Sequence, residues 1–490
     1  MIGKQNTTFK GDLIRLVSGT GLVTSIALIA LPILTRMYGP EAFGQAAMFA
    51  TITGVLAVTA CMGYEYAIVS PKSDKQAVNL LVINIVICSL YVCGIVAPLI
   101  FFHGETLLIW VKMEEVEKVL WLIPVTTWFS GVFMALKYWS TRTKHFSRLS
   151  LAQVIAAGTG TAGSLSFGFN GYVSGTHMIV SQIVGQAVAT IILFKQLLQD
   201  NGRFILNSLS WRVSKLMLLR YRNFPIYYNS SKIISTLSAS LPIILFGVYF
   251  SSAAVGFYIL ALRIINGPTS LLYASVAQVF HQRSAEAKNN GTLPKLTNET
   301  VLIVIGTGVF PLLLVSLYSP EIFSAIFGIE WRRAGVLSQI IVLYTVVHIV
   351  YVPISMLDAV LDLQKFEFLL NLTALALSSL GLILGGLNDD IILAIWLFTV
   401  SNIVICLLKI HLLLKHSGAD QKLIASQFFK QIAFFSPAFV SYVWILSFNN
   451  GVQLNLLILC FLFCAWVGYT FLTFGSKNEI IKLLKNPRVK

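Results

Sequence analysis

Residues 31–69 read LPILTRMYGPEAFGQAAMFATITGVLAVTACMGYEYAIV. Two apolar runs meet here across the tight turn Tyr38-Gly39-Pro40-Glu41. A bilayer crossing takes about 20 apolar residues at ~1.5 Å rise each, and both runs are long enough. The turn leaves no room for a soluble domain, so the chain crosses and comes straight back. This unit of span, short turn and returning span recurs along all 490 residues.

Composition agrees with that reading. The chain is 56% hydrophobic and 11% charged, where soluble domains carry about 25% charged residues. Its mean hydropathy is +0.80. No charged, mixed-pattern stretch is long enough to build a soluble domain, although length alone would allow roughly three. The run Leu16–Leu34 is longer than the ~7–15 residues of a signal-peptide core and lacks a small-residue cleavage site. It is expected to be the first retained helix. Cys61, Cys88, Cys93, Cys406, Cys460 and Cys464 all lie inside apolar runs, where a free cysteine behaves as a small hydrophobe. The histidines show no HExxH or paired spacing. Neither a metal site nor a cofactor is expected.

Fourteen spans are expected, at 14–36, 43–69, 79–102, 117–139, 150–169, 175–198, 223–249, 255–281, 299–318, 334–360, 366–387, 391–414, 427–447 and 452–474. The basic residues orient them. With the N-terminus inside, 28 of the 35 lysines and arginines fall on the inner side and 5 on the outer, counting Lys409 with the inner loops. Lys232 and Arg263 remain mid-span. A missed helix would swap every later loop and destroy this bias, so both termini are expected in the cytoplasm. The net charge of +15 then follows from topology and from anionic lipid heads. A nucleic-acid partner is not needed.

An internal repeat divides the chain. Leu31-Pro32-Ile33-Leu34 with Gly44 resembles Leu241-Pro242-Ile243-Ile244 with Gly256, the prolines 210 and the glycines 212 residues apart. The fold expected is all-α: a polytopic membrane protein of two pseudo-symmetric six-helix lobes plus two C-terminal helices. The N-terminal lobe is placed at 1–198, a basic cytoplasmic connector at 199–222 and the C-terminal lobe at 223–414. Two further helices and a basic tail occupy 415–490.

Ionisable groups inside a span are costly to insert and usually face a cavity or a partner. Lys232 lies about ten residues into span seven, on a polar stripe with Tyr228, Ser235, Thr236 and Ala239 at helical spacing. Arg263 lies eight residues into span eight, followed by the kinking sequence Asn266-Gly267-Pro268. Its planar fork suits a phosphate. Both are candidates for a cationic substrate site. Glu65, Asp358 and His348 are candidate ion-coupling or counter-ion groups; an interfacial acid or a satisfied histidine is the competing reading of each. Arg36, at the outer end of span one, reads as a snorkelling anchor. No GxSxG, Walker loop or GxGxxG is present, so no catalytic residue and no enzymatic activity are expected.

The stretch Arg36, Gly39, Pro40, Glu41, Phe43 and Gly44 resembles the turn motif of the bacterial polysaccharide-biosynthesis exporters, the oligosaccharide flippases of the multidrug/oligosaccharidyl-lipid/polysaccharide superfamily. Residues 64–72, YEYAIVSPK, resemble the signature that closes the second helix in that family. The resemblance implies an inner-membrane flippase moving undecaprenyl-diphosphate-linked oligosaccharide, such as an O-antigen or capsule unit, to the outer leaflet by alternating access. It implies as partners the lipid-linked substrate, membrane lipids, and the polysaccharide polymerase and chain-length proteins. It does not locate the cavity cations, so Lys232 and Arg263 stand on the physical argument alone. The alternative is a multidrug or other small-molecule antiporter of the same superfamily, which would need acids deep in the spans. A membrane polymerase or ligase is disfavoured by outer loops of about 15 residues, too short to hold a sugar.

Overall fold

The computed structural model describes residues 9–111, 119–448 and 466–468. Among these the chain is helical throughout. In order come α1 (Phe9–Met37), α2 (Pro40–Ala60), α3 (Tyr64–Ala67), α4 (Asp74–Tyr91), α5 (Ala97–Val111), α6 (Leu122–Arg142), α7 (Phe146–Phe169), α8 (Gly175–Ser208) and α9 (Trp211–Arg220). They are followed by α10 (Ser230–Tyr249), α11 (Ser252–Asn289), α12 (Leu293–Leu317), α13 (Ser319–Phe327), α14 (Arg332–Ile354), α15 (Leu357–Val360), α16 (Gln364–Leu387), α17 (Ile391–Ser417) and α18 (Gln421–Phe448).

Each of the first thirteen expected spans has its helix; all but three residues of the fourteenth, 452–474, lie outside the described residues. By length and apolarity 9 of the described helices could cross a membrane, and Gly21–Met37 and Ser252–Gly267 are shorter apolar stretches. Chemistry explains the rest. The helices α6 and α7 carry enough Ser, Thr, Gly and Lys to fall short on apolarity while still packing as full-length helices. Large apolar side chains such as Ile29, Phe102 and Leu387 stand exposed along the helices, as they must where acyl chains are the solvent.

The chain forms two compact units. One holds residues 1–259 and 326–330, the other 260–325 and 331–490. In the first, α7 packs on both α1 and α8, and α2 on α6, α8 and α10. Tyr38, fully buried at the end of α1, donates a 2.7 Å hydrogen bond to the Ser164 carbonyl of α7. In the second, α12 packs on α14 and α18, and α17 on α14 and α16. Its aromatic core joins Phe310, Leu314 and Tyr318 to Phe434 and Tyr442.

Two local features depart from expectation. Span two was expected to run to residue 69, but α2 stops at Ala60. Met62 and Gly63 both have left-handed backbones, at φ 52° and 78°, which ends any α-helix. Four-residue α3 then turns the chain toward α4. At Gly63 a Cβ would also stand 2.8 Å from the Asn229 Cβ, so glycine is required on both counts. Second, Val92–Val96 and Phe224–Asn229 are wound as π-helix, the latter leading directly into α10. The wider turn widens the helix locally at both places.

Candidate functional site

The turn motif packs without slack in the first unit. The position a Cβ of Gly44 would take lies 1.6 Å from the Ser252 carbonyl oxygen, and that of Gly256 lies 2.0 Å from the Pro40 carbonyl oxygen. Gly39 sits against Glu330, and Pro40 and Glu41 form the first turn of α2, where proline and an acid are both favoured. Arg36 is more than a snorkelling anchor: its Nε donates to the Ile326 carbonyl at 3.2 Å. The motif residues therefore hold backbone to backbone, which is a structural task.

Glu65 lies in α3, between α2 and α4, and is only 2% exposed. Its Oε2 has no hydrogen-bond partner among the described residues. Burial lifts its pKa to about 7, against the opposing pull of the Glu65 and Gly63 backbone N–H groups. Around it stand phenols: the Tyr66 ring lies 4.9 Å from that of Tyr138 and 4.5 Å from that of Tyr228. Asn229, buried against Gly63, likewise leaves its Oδ1 unpartnered. This corner can hold a neutral acid, and among the described residues no cation pairs with the carboxyl group.

Lys232 lies on α10, eight residues after the Phe224 start of the π-helical turn, or ~12 Å by helical rise. The helix α10 packs on α2, with Gly247 against Met48. Its other face, with Tyr228, Lys232, Ser235 and Ala239, stays exposed. In the second unit Arg263 lies on α11 and is exposed as well. Neither cation has a hydrogen-bond or ion-pair partner among the described residues.

The second unit also holds a cation network that sequence reasoning missed. Lys409, counted with the inner loops, sits inside α17 at 8% exposure. Its Nζ lies 2.9 Å from Glu367 Oε1 and donates to Asn371 Oδ1 at 2.6 Å. The Tyr351 hydroxyl donates to the same Glu367 oxygen at 2.6 Å, and Asn371 Nδ2 does so at 3.1 Å. Lys409 also stands 5.1 Å from the Tyr351 ring centre. Of the candidate coupling groups, the His348 ring lies tilted 5.9 Å from that of Tyr351, and Asp358 lines a small cavity of about 40 Å³ with Glu367 and Lys409. His348 and Asp358 thus belong to the surroundings of this pair, while Glu65 belongs to a different corner in the other unit. The Glu367-to-Asn371 spacing of four was the one signal in the sequence. Among the described residues no group of His, Cys, Asp and Glu could hold a metal ion.

Residues 33–335 match the family model described as Polysaccharide biosynthesis protein. The chain is 20% identical over 304 residues to the teichuronic acid biosynthesis protein TuaB of Bacillus subtilis (strain 168), a match covering 60% of this chain. The chain spans about three-fifths of that relative's length, 59%. Among solved structures it is similar to the lipid II flippase MurJ in its inward closed conformation, with TM-score 0.70, 13% identity, and 94% of this chain and 99% of that one covered. It is also similar to an inward-facing multidrug resistance MATE family transporter of the MOP superfamily, with TM-score 0.60 and 14% identity over 82% of this chain and 95% of that one. At these identities the structural likeness is one of fold.

Proposed function

The chain belongs to the polysaccharide biosynthesis protein family, and from that membership we propose that it flips a lipid-linked oligosaccharide across the bacterial inner membrane. The substrate class proposed is undecaprenyl-diphosphate-linked sugar units, carried from the inner to the outer leaflet by alternating access, with both termini in the cytoplasm. The observation that supports this most is the pair Lys232 and Arg263. Each is a cation within a membrane helix, exposed, with no anionic partner among the described residues. A cation turned to hydrocarbon costs a few kcal/mol or more, so each is best served by a wet cavity and an anionic visitor. A diphosphate supplies that charge, and Arg263 would take it through two parallel hydrogen bonds.

Lys409 serves a different purpose in this reading. Its charge is neutralised by Glu367 and its donors are in use, so it holds α14, α16 and α17 together and leaves substrate binding to Lys232 and Arg263. Glu65 is the proposed ion-coupling group, because it alone among the three candidates lacks compensation. A cation-drug antiporter remains the second reading, resting on that one acid. The test is deletion of the gene followed by analysis of lipid-linked intermediates. Complete repeat units should accumulate on the inner leaflet. A build-up of single units on the outer leaflet would identify a polymerase, and unchanged lipid-linked pools with altered drug sensitivity would identify an antiporter.

A further inference from the structure

The segment from Asn201 to Ala285 contains no acidic residue; after Asp200 the next is Glu286. Its first part carries Arg203, Arg212, Lys215, Arg220 and Arg222. The helix α9 lies in it and is fixed to the first unit at two places. The fully buried Asn79, in the second turn of α4, donates from Nδ2 to the Ser208 carbonyl at 2.7 Å, and its Oδ1 accepts from Ser210 N at 2.8 Å and Ser214 Oγ at 3.2 Å. Further along, the Tyr64 hydroxyl donates to the Leu218 carbonyl at 3.2 Å. Tyr64 follows the end of α2, and Asn79 stands near the start of α4. Both mark the level at which spans end, so α9 is held at the membrane boundary.

The inner face of α9 is accounted for. Ser214 and Met217 are buried, and Val213, Leu218 and Tyr221 pack on the apolar core of the unit. The outer face is not. Trp211 is 72% exposed, Leu216 61% and Leu219 58%, interleaved at helical spacing with exposed Arg212, Lys215 and Arg220. Water is a poor solvent for the three apolar side chains. Hydrocarbon is a poor one for the three cations. The headgroup zone takes both, the cations on phosphate and the indole and leucines among the first acyl carbons.

We propose that the outer face of α9 docks on anionic phospholipid headgroups. The charge complementarity is complete, since no acid lies within the helix or within the turns on either side of it. Docking there fixes the helix that feeds the π-helical turn Phe224–Asn229 and then Lys232. The anionic lipid content of the membrane would thereby set how firmly the start of α10 is held. This inference does not depend on which substrate is carried.

The test uses the full-length protein in nanodiscs of phosphatidylcholine, with and without one-third phosphatidylglycerol. Amide exchange over residues 211–222 should slow about fivefold or more with the anionic lipid, and the effect should fade in high salt. Brominated phosphatidylglycerol should quench a fluorescence component that Trp211→Phe removes. The variant R212Q/K215Q/R220Q changes only exposed side chains and should lose the lipid effect while unfolding in detergent at the same temperature as the parent. Should that variant fold poorly, the salt dependence of the parent protein decides alone. Equal exchange in both lipid compositions, or protection that survives high salt, would overturn the proposal and point to a protein or neutral-lipid cover instead.

Discussion

Gly44 and Gly256 are the two glycines of the internal repeat, and they pack reciprocally: each presses on the backbone of the other's turn. Gly44 meets the Ser252 carbonyl, and Gly256 meets the Pro40 carbonyl. Any side chain at either position displaces backbone, which cannot yield as a flexible side chain would. Gly44→Ala and Gly256→Ala should each cost about 1–3 kcal/mol, the range for overpacking, and lower the midpoint of thermal unfolding in detergent. Gly54 lies on the same helix with open space around it. Gly54→Ala should leave the midpoint unchanged or raise it, since alanine is the better helix former. Equal effects at Gly44 and Gly54 would show that the reciprocal contact carries no weight.

Lys409 and Glu367 should behave as a buried ion pair. Removing one partner strands the other, at a cost of about 3–5 kcal/mol. Lys409→Met and Glu367→Leu should each reduce the folded yield and the unfolding temperature. The double variant should recover most of the loss, because two apolar side chains replace two charges. Double-mutant-cycle analysis of unfolding in detergent checks this. Additive losses would mean the pair is not coupled.

The alternation of spans and turns was legible because membrane helices are written in composition, and composition survives without knowledge of packing. The repeat was legible for a related reason: the prolines and glycines that shape a turn cannot be exchanged freely. Lys409 was not legible. It lies near one end of a span, where a lysine ordinarily reaches for the headgroups, and its partner Glu367 is far away in sequence. Only the packing of α16 on α17 turns a boundary lysine into a buried one. Glu65 was expected near the end of span two; it lies past the end of α2, in α3, and its isolation was not visible. That isolation comes from Gly63, whose left-handed backbone folds α3 back among the phenols of Tyr66, Tyr138 and Tyr228.

Glu65 gives a pH dependence with a definite sign. Its pKa is raised from the ordinary carboxylate value of 4.5 to about 7 by burial. The folded state therefore holds its proton more tightly than the unfolded state does. The contribution of Glu65 to stability is greatest at low pH and declines as pH rises from about 4.5 to about 7. Glu65→Gln is neutral at every pH and should remove that decline. At pH 8 the variant should be the more stable protein, by up to about 3 kcal/mol on the conversion of roughly 1.4 kcal/mol per unit, and near pH 4.5 the two should match. If Glu65 couples an ion to transport, Glu65→Gln should also lose transport while keeping its fold.

Lys232 and Arg263 should separate function from folding. Neither touches a protein anion among the described residues, so neutralising them breaks no ion pair. Lys232→Ala and Arg263→Ala should leave membrane levels unchanged and reduce surface glycan, measured by polysaccharide blotting of whole cells. The conservative pair distinguishes their roles. Lys232→Arg keeps a positive charge on an exposed stripe and should retain most export. Arg263→Lys loses the planar fork, so it should lose export if a phosphate is gripped through two parallel bonds. An Arg263→Lys variant with full export would reduce Arg263 to a plain positive charge. Normal glycan in both alanine variants would mean that the substrate's charge is met by other residues.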